Sequence, residues 1–149
     1  MKSHCKTMLA LLLCLTTAAT YAQADARPKI FQNFPETMDV SASTFQNLFS
    51  TQDGDDVSLN LAGTFNFPGK VISNSVKYSN LQTIVIISPQ FNNAIFNISK
   101  ITNADNTISY EGRIINERAF DGYELKQNAD GTYTMKKFEM GKVLQPCNF

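Results

Sequence analysis

The side chains best suited to chemistry in this 149-residue chain are few, and they stand near its two ends. His4 is the only histidine, and Cys5, Cys14 and Cys147 are the only cysteines. Imidazole and thiolate together could ligate a metal or form a nucleophile and its base. His4, Cys5 and Cys14, however, sit in a segment laid out like an export signal. Lys2 and Lys6 form a basic start, Met8 to Leu15 is an apolar run broken only by Cys14, and Thr20-Tyr21-Ala22 ends on the small residue that signal peptidases accept. The run is too short to cross a bilayer as a permanent helix. A lipid anchor needs a small residue before its cysteine, and Leu13 precedes Cys14. Cleavage before Gln23 is therefore the expectation, and it removes the histidine and two of the three cysteines.

The remaining candidates are carboxylates, one thiol and a set of aromatic rings. Glu111, Glu117, Asp121 and Glu124 could supply a carboxylate pair, but nothing in their surroundings separates two pKa values, so solvated surface charge is the plainer reading. Asp53, Asp55 and Asp56 could turn oxygens toward one calcium ion, yet the remaining ligand pattern of a calcium loop is missing and a polar turn accounts for them. Asn97-Ile98-Ser99 spells a glycosylation sequon inside a predicted strand. Cys147, with Phe149 two residues on, forms a candidate contact on the tail: the thiol could ligate a partner's zinc, pair with another chain, or have no role. Tyr78, Phe91, Tyr110, Phe120 and Tyr123 could stack on a carbohydrate or small ligand if their rings face solvent. No cofactor is expected, and without histidine neither a Ser or Cys triad nor a familiar zinc site can be assembled.

Composition narrows the classes further. Removal of 22 residues leaves 127, which suits one domain with one modest core. With Lys2 and Lys6 gone, 11 basic side chains stand against 13 acidic ones, and no basic run offers the stripe that nucleic acid requires. Cys147 alone cannot close an internal disulfide, so the fold rests on packing.

The elements that must position these residues follow from periodicity. Residues 23–29 read as a flexible leader, and Ile30, Phe31 and Phe34 are the first apolar anchors before Pro35. Ser41 opens a short helix over Ala42 to Phe49, with Phe45, Leu48 and Phe49 on one face. From Val57 the period is close to two, with turns at 52–56, 79–80, 103–106 and 128–131. Strands are expected over Val57 to Leu61, Lys70 to Tyr78 with an irregular centre, Leu81 to Ser88 as a central strand covered on both faces, Ala94 to Ile101, Ile108 to Ile115 with a bulge at Gly112, Tyr123 to Lys126, and Tyr133 to Phe138. The fold class is mainly β: an antiparallel meander or small barrel or sandwich with one short N-terminal helix packed on the sheet, and a tail over 142–149.

Across the second half, Phe96-Asn97-Ile98-Ser99, Tyr110-Glu111-Gly112-Arg113-Ile114 and Asp121-Gly122-Tyr123-Glu124-Leu125 succeed one another. This succession resembles the β-rich prodomains that precede reprolysin-like (adamalysin-type) metallopeptidases, over about a third of the chain after the signal. The resemblance implies a module that assists or inhibits a secreted zinc peptidase, with Cys147 as the group that caps the metal. No H-E-x-x-H helix accompanies it.

The expectation from sequence is thus a secreted or periplasmic, non-enzymatic domain with a protein partner and no stable membrane span. A surface-associated adhesive or carbohydrate-binding module is the alternative. Intact-mass measurement of the exported protein should show a chain that begins at Gln23; retention of Met1–Ala22 would restore His4, Cys5 and Cys14 as potential metal ligands.

Overall fold

A computed structural model describes residues 27–63 and 65–143 of the chain. Residues 1–22, read from the sequence as an export signal, and Cys147 and Phe149 lie outside the described residues. Eight strands are present: β1 (Thr37–Val40), β2 (Asp56–Ala62), β3 (Phe65–Tyr78), β4 (Leu81–Ser88), β5 (Ala94–Thr102), β6 (Ile108–Ile115), β7 (Asp121–Gln127) and β8 (Tyr133–Glu139). One helical turn, α1 (Ser43–Gln46), runs on into a 3-10 turn over Asn47–Ser50, and another, α2 (Met140–Val143), follows β8. No helix among the described residues is long and apolar enough to cross a membrane.

The strands form one antiparallel sheet in the order β1-β8-β7-β6-β5-β4-β3-β2. Strands β2 to β8 are a simple meander, and β1 returns to pair with β8 through Met38 and Met135. The sheet curls until its two edges, β1 and β2, come within 8 Å of each other between Cα atoms. The mainly antiparallel β class with a short helix on the sheet is therefore the architecture.

Alternation explains the curl. One face carries Leu59, Phe67, Val71, Ile84, Ile86, Phe96, Ile98, Ile114, Tyr123, Leu125 and Met135, all buried. The other face of the same strands carries Asn97, Arg113, Glu124 and Lys136. A sheet with a single apolar face buries it by wrapping the face around itself and plugging both ends. At one end Phe45, Leu48 and Phe49 supply the plug, with Phe45 against Phe96, Tyr110 and Tyr133 at ring separations of 6.4, 5.4 and 6.3 Å. A four-residue helix has no stability of its own, so this burial is what holds it. Ser41 accepts a bond from the Ser43 amide at 3.3 Å, although the residue at the cap position is Ala42. Asn74 and Gln82 then pin the exit of the turn, donating to the carbonyls of Thr51 and Phe49 at 2.6 and 3.0 Å.

Several expectations need correction. The leader read over 23–29 is docked where it is described: Arg27 donates to the Glu117 carbonyl and Lys29 pairs with Glu139 at 3.0 Å. Strand β4 is central, but only Ile84, Ile86 and Ser88 are fully buried, while Val85 and Ile87 on its outer face stay half-buried because no described residue covers that face. Gly112 is not a bulge, since β5–β6 register runs unbroken through Ile98↔Gly112. A Cβ there would lie 2.8 Å from the Asn97 carbonyl and 3.0 Å from the Phe96 ring, so the glycine makes room for a core aromatic. The irregular centre of β3 is real, with register shifts between Val71 and Ser73 and again between Val76 and Tyr78. Strand β1 was not legible, as four residues with two inward side chains carry little periodicity.

A repeat also emerges at the hairpin tips. Asn103-Ala104-Asp105-Asn106-Thr107 and Asn128-Ala129-Asp130-Gly131-Thr132 fold alike: in each, the aspartate accepts from the threonine hydroxyl at 2.6 Å and amide at 3.0 Å, and the asparagine amide reaches that same hydroxyl. The threonine hydroxyl bond holds Asp105 and Asp130 below the ordinary carboxylate range. The fourth residue has positive φ in both, +64° at Asn106 and +84° at Gly131.

Gly122 marks a close approach on the outer face. A Cβ would sit 2.5 Å from the Ile114 carbonyl and 2.9 Å from the Phe138 ring. Gly122→Ala should destabilise the domain by about 1–3 kcal/mol through forced separation of β6 and β7, read as a lower urea midpoint.

Candidate functional site

The most exposed apolar side chains and a stretch of uncovered strand edge coincide on β3. Ladder pairing between β2 and β3 stops at Asp56↔Lys70, while β3 continues to Tyr78. The loop before β2 covers the next few residues: the Val71 amide donates to the Asp55 carbonyl at 2.9 Å, the Gly54 amide donates to the Val71 carbonyl at 2.8 Å, and the Asn74 amide reaches the Asp53 carboxylate at 2.7 Å. Asp53, Asp55 and Asp56 thus act in strand capping and pairing, since Asp55 accepts from the Gln52 amide and Asp56 faces Lys70 at 3.8 Å. No group of three or more potential metal ligands occurs among the described residues.

Beyond Asn74, β3 has β4 on one side and no strand on the other among the described residues. Because the Asn74 amide points away from β4, alternation turns the N–H and C=O of Val76 to the same open side. Side chains add to the exposure. Val76 and Tyr78 are each 70% exposed and Ile72 48%, so three of the four large exposed apolar residues belong to this strand. The register shifts on either side leave a short regular stretch, Ser73 to Val76, in which the open-side amide of Asn74 is taken by Asp53 and the main-chain groups of Val76 are the ones left for a further strand to pair with.

The five candidate rings do not assemble into a binding face. Phe91, Tyr110 and Tyr123 are core: Phe91 stacks on Phe67 at 5.5 Å with planes 3° apart, Tyr110 lies between Phe45 and Phe49, and Tyr123 lies between Phe31 and Phe65. Their rings face other rings because the sheet's inner face needs filling and aromatics fill it most efficiently per residue. Phe120 is half-buried under Lys29, whose ammonium stands 5.4 Å from the ring centre. Tyr78 alone is open to solvent.

The candidate carboxylates separate as well. Asp121, 1% exposed, accepts the amides of Ile30 at 2.8 Å and Phe31 at 3.0 Å, which makes it a clamp on the N-terminal segment. Glu124 is shared between Lys126 at 2.9 Å and Arg113 at 2.7 Å. The bond from Lys126, and after it that from Arg113, holds the Glu124 carboxyl below the usual range against the opposite push of burial. Glu111 and Glu117 are exposed.

A second surface feature was missed by sequence reading. Strands β6 and β7 pair over only three positions, Gly112↔Leu125 to Ile114↔Tyr123, and then part. The Tyr133 hydroxyl reaches into the parted seam and accepts the Tyr110 amide at 3.1 Å. On the outer face this leaves a groove of about 680 Å³ lined by Asn97, Ser99, Glu111, Arg113, Glu124 and Lys126. No sequence signal announced it, because the parting depends on where two distant strands diverge.

Tyr123 also donates to the Pro35 carbonyl at 2.6 Å. Burial raises its phenol above the ordinary range, with the charges of Glu36 and Asp121 acting in the same direction. A tyrosine raised in this way contributes stability that is fully present below its unfolded pKa of about 10 and is lost as the pH climbs toward the folded value. The wild-type chain should therefore lose melting temperature above about pH 10, and Tyr123→Phe should flatten that loss while costing about 0.5–1.5 kcal/mol at neutral pH for the Pro35 bond. Thermal melts across the alkaline range would show both effects; an unchanged alkaline slope in Tyr123→Phe would refute the assignment.

No family model, no curated protein and no solved structure matches this chain.

Proposed function

We propose that this chain is an exported, non-enzymatic protein-binding domain that holds its partner by adding a short extended segment of it to the open edge of β3. The observation that carries the reading is the coincidence at Val76 of unpaired main-chain groups with apolar side chains left in water. Strand addition uses both: ladder hydrogen bonds give affinity, and alternate side chains give selectivity. Lys77 makes the edge a poor template for indiscriminate pairing, as charge on an edge strand usually does. The use of Asp121 and Glu124 in structural contacts supports a binding role over an acid–base one.

A secreted zinc peptidase is the partner favoured by the prodomain-like succession on β5, β6 and β7 and by the thiol of Cys147. The alternative of an adhesive or carbohydrate-binding module draws on one observation, the exposed ring of Tyr78.

The test titrates the purified chain into zinc peptidases of the same secretome. Inhibition that is weakened by Cys147→Ser, together with a complex weakened about tenfold or more by Val76→Pro, is the expected result. Proline is informative because the Val76 amide points away from β4, so its loss removes an edge donor without breaking the existing ladder. No inhibition and no complex with any peptidase would overturn this partner. A glycan array whose hits vanish in Tyr78→Ala would favour the alternative.

A further inference from the structure

Residues 27–36 form a strap across one end of the curled sheet, and none of them belongs to a strand. Pro28 and Pro35 bracket it, which keeps it out of the ladder. The body grips this strap chiefly through its main chain. Pro28 C=O accepts from the Phe120 amide at 2.9 Å, the Ile30 and Phe31 amides donate to the Asp121 carboxylate, Phe34 C=O accepts from Lys137 Nζ at 2.7 Å, Pro35 C=O accepts from the Tyr123 hydroxyl, and Glu36 C=O accepts from the Lys137 amide at 2.8 Å. Three of these grips come from side chains, Asp121, Tyr123 and Lys137, that are themselves shielded from water.

Three strap side chains pack against the core, Phe31, Phe34 and, partly buried, Ile30, and the two rings make the aromatic contacts. Phe31 is fully buried and meets Phe65, Phe91 and Tyr123 at 6.0, 5.4 and 5.3 Å. Phe34, three residues on, meets Phe65 at 4.6 Å and Phe91 at 5.8 Å. A turn bond from the Phe34 amide to the Phe31 carbonyl, 3.0 Å long, sets the two rings on one side. The cradle thus reads a backbone shape and two phenylalanines in Phe-x-x-Phe spacing. Nothing in those contacts depends on the segment being covalently joined to the body.

We infer that this cradle is a peptide-recognition site, occupied in the free protein by the chain's own strap and open to a Phe-x-x-Phe segment of a partner protein that displaces it. The buried carboxylate of Asp121 selects a segment with two successive free amides, which excludes proline at the first ring position and the residue before it. The strap, held close by its link to β1, competes at high effective concentration, so a segment in trans is seen only when the strap is weakened or the segment binds more tightly. This site is separate from the β3 edge, and its failure would leave that reading standing.

A fluorescein-labelled synthetic peptide of residues 27–36 is the probe, and fluorescence anisotropy the readout. The full chain carrying Phe31→Ala and Phe34→Ala should bind it saturably, roughly tenfold or more tighter than the wild-type chain does. Adding Asp121→Asn should abolish that gain, because an amide cannot accept both strap amides in the carboxylate's geometry. A peptide with both phenylalanines replaced by alanine should not bind. If circular dichroism shows that the double variant has lost its sheet, the half-buried Phe34→Ala chain takes its place, with a smaller gain expected. Absence of saturable binding by a folded variant, or binding that is indifferent to Asp121→Asn or to loss of the peptide's phenylalanines, overturns the inference.

Discussion

Everything in this structure depends on one constraint: a single sheet with one apolar face has to cover that face by itself. In a two-layer domain a second sheet or a set of long helices would do so. Here the meander curls until β1 and β2 nearly meet, and the two ends of the resulting trough are stopped by short, otherwise unstable pieces of chain. Aromatic rings make this possible. Phe31, Phe45, Phe65, Phe67, Phe91, Phe96, Tyr110, Tyr123 and Tyr133 form one continuous system of edge-on and stacked contacts from one plug to the other. Without a disulfide in this part of the chain, that packing is what opposes the entropy of unfolding.

The polar groups inside the trough serve the same end. Asp121 is buried as a carboxylate acceptor, and two strap amides supply the hydrogen bonds that a buried acceptor requires. Lys137 is almost fully buried on the neighbouring strand and satisfies a strap carbonyl and the exposed Glu36. Tyr133 solves a different problem at the parted β6–β7 seam, where its hydroxyl stands in for a missing strand partner. No buried side-chain polar atom among the described residues is left without a bond. Each such group fixes one geometry, because removing its partner would leave a desolvated donor or acceptor.

The places where this economy stops are where binding is proposed. The outer edge of β3 past Asn74 keeps its main-chain groups and its apolar side chains in solvent, against the general tendency of monomeric sheets to shield such edges. The strap shows the opposite condition, a peptide already seated in a cradle that addresses its backbone. Both features use the recognition chemistry of secondary structure itself, and neither requires a reactive side chain.

Much of the fold was legible along the chain because its signals are local. Alternating Leu59 and Leu61, the run Ile84 to Ile87, and the Asn-Ala-Asp turns mark strands and hairpins whose period and turn chemistry depend on neighbours a few residues away. A meander of such hairpins follows with little freedom of topology. Whether Tyr110 or Tyr123 faces water could not be read that way, since either face of an alternating strand is possible until the curl decides which one is inside. The same holds for Asp121, an ordinary surface carboxylate in sequence and a buried clamp in the structure, because its partners lie some ninety residues earlier. The sequence by itself determined seven of the eight strands and the short helix, but neither β1 nor the order of the strands in the sheet. Only the tertiary structure decided which rings are core, where the sheet edge is left open and what the N-terminal strap does, because those properties belong to contacts between segments far apart in the chain.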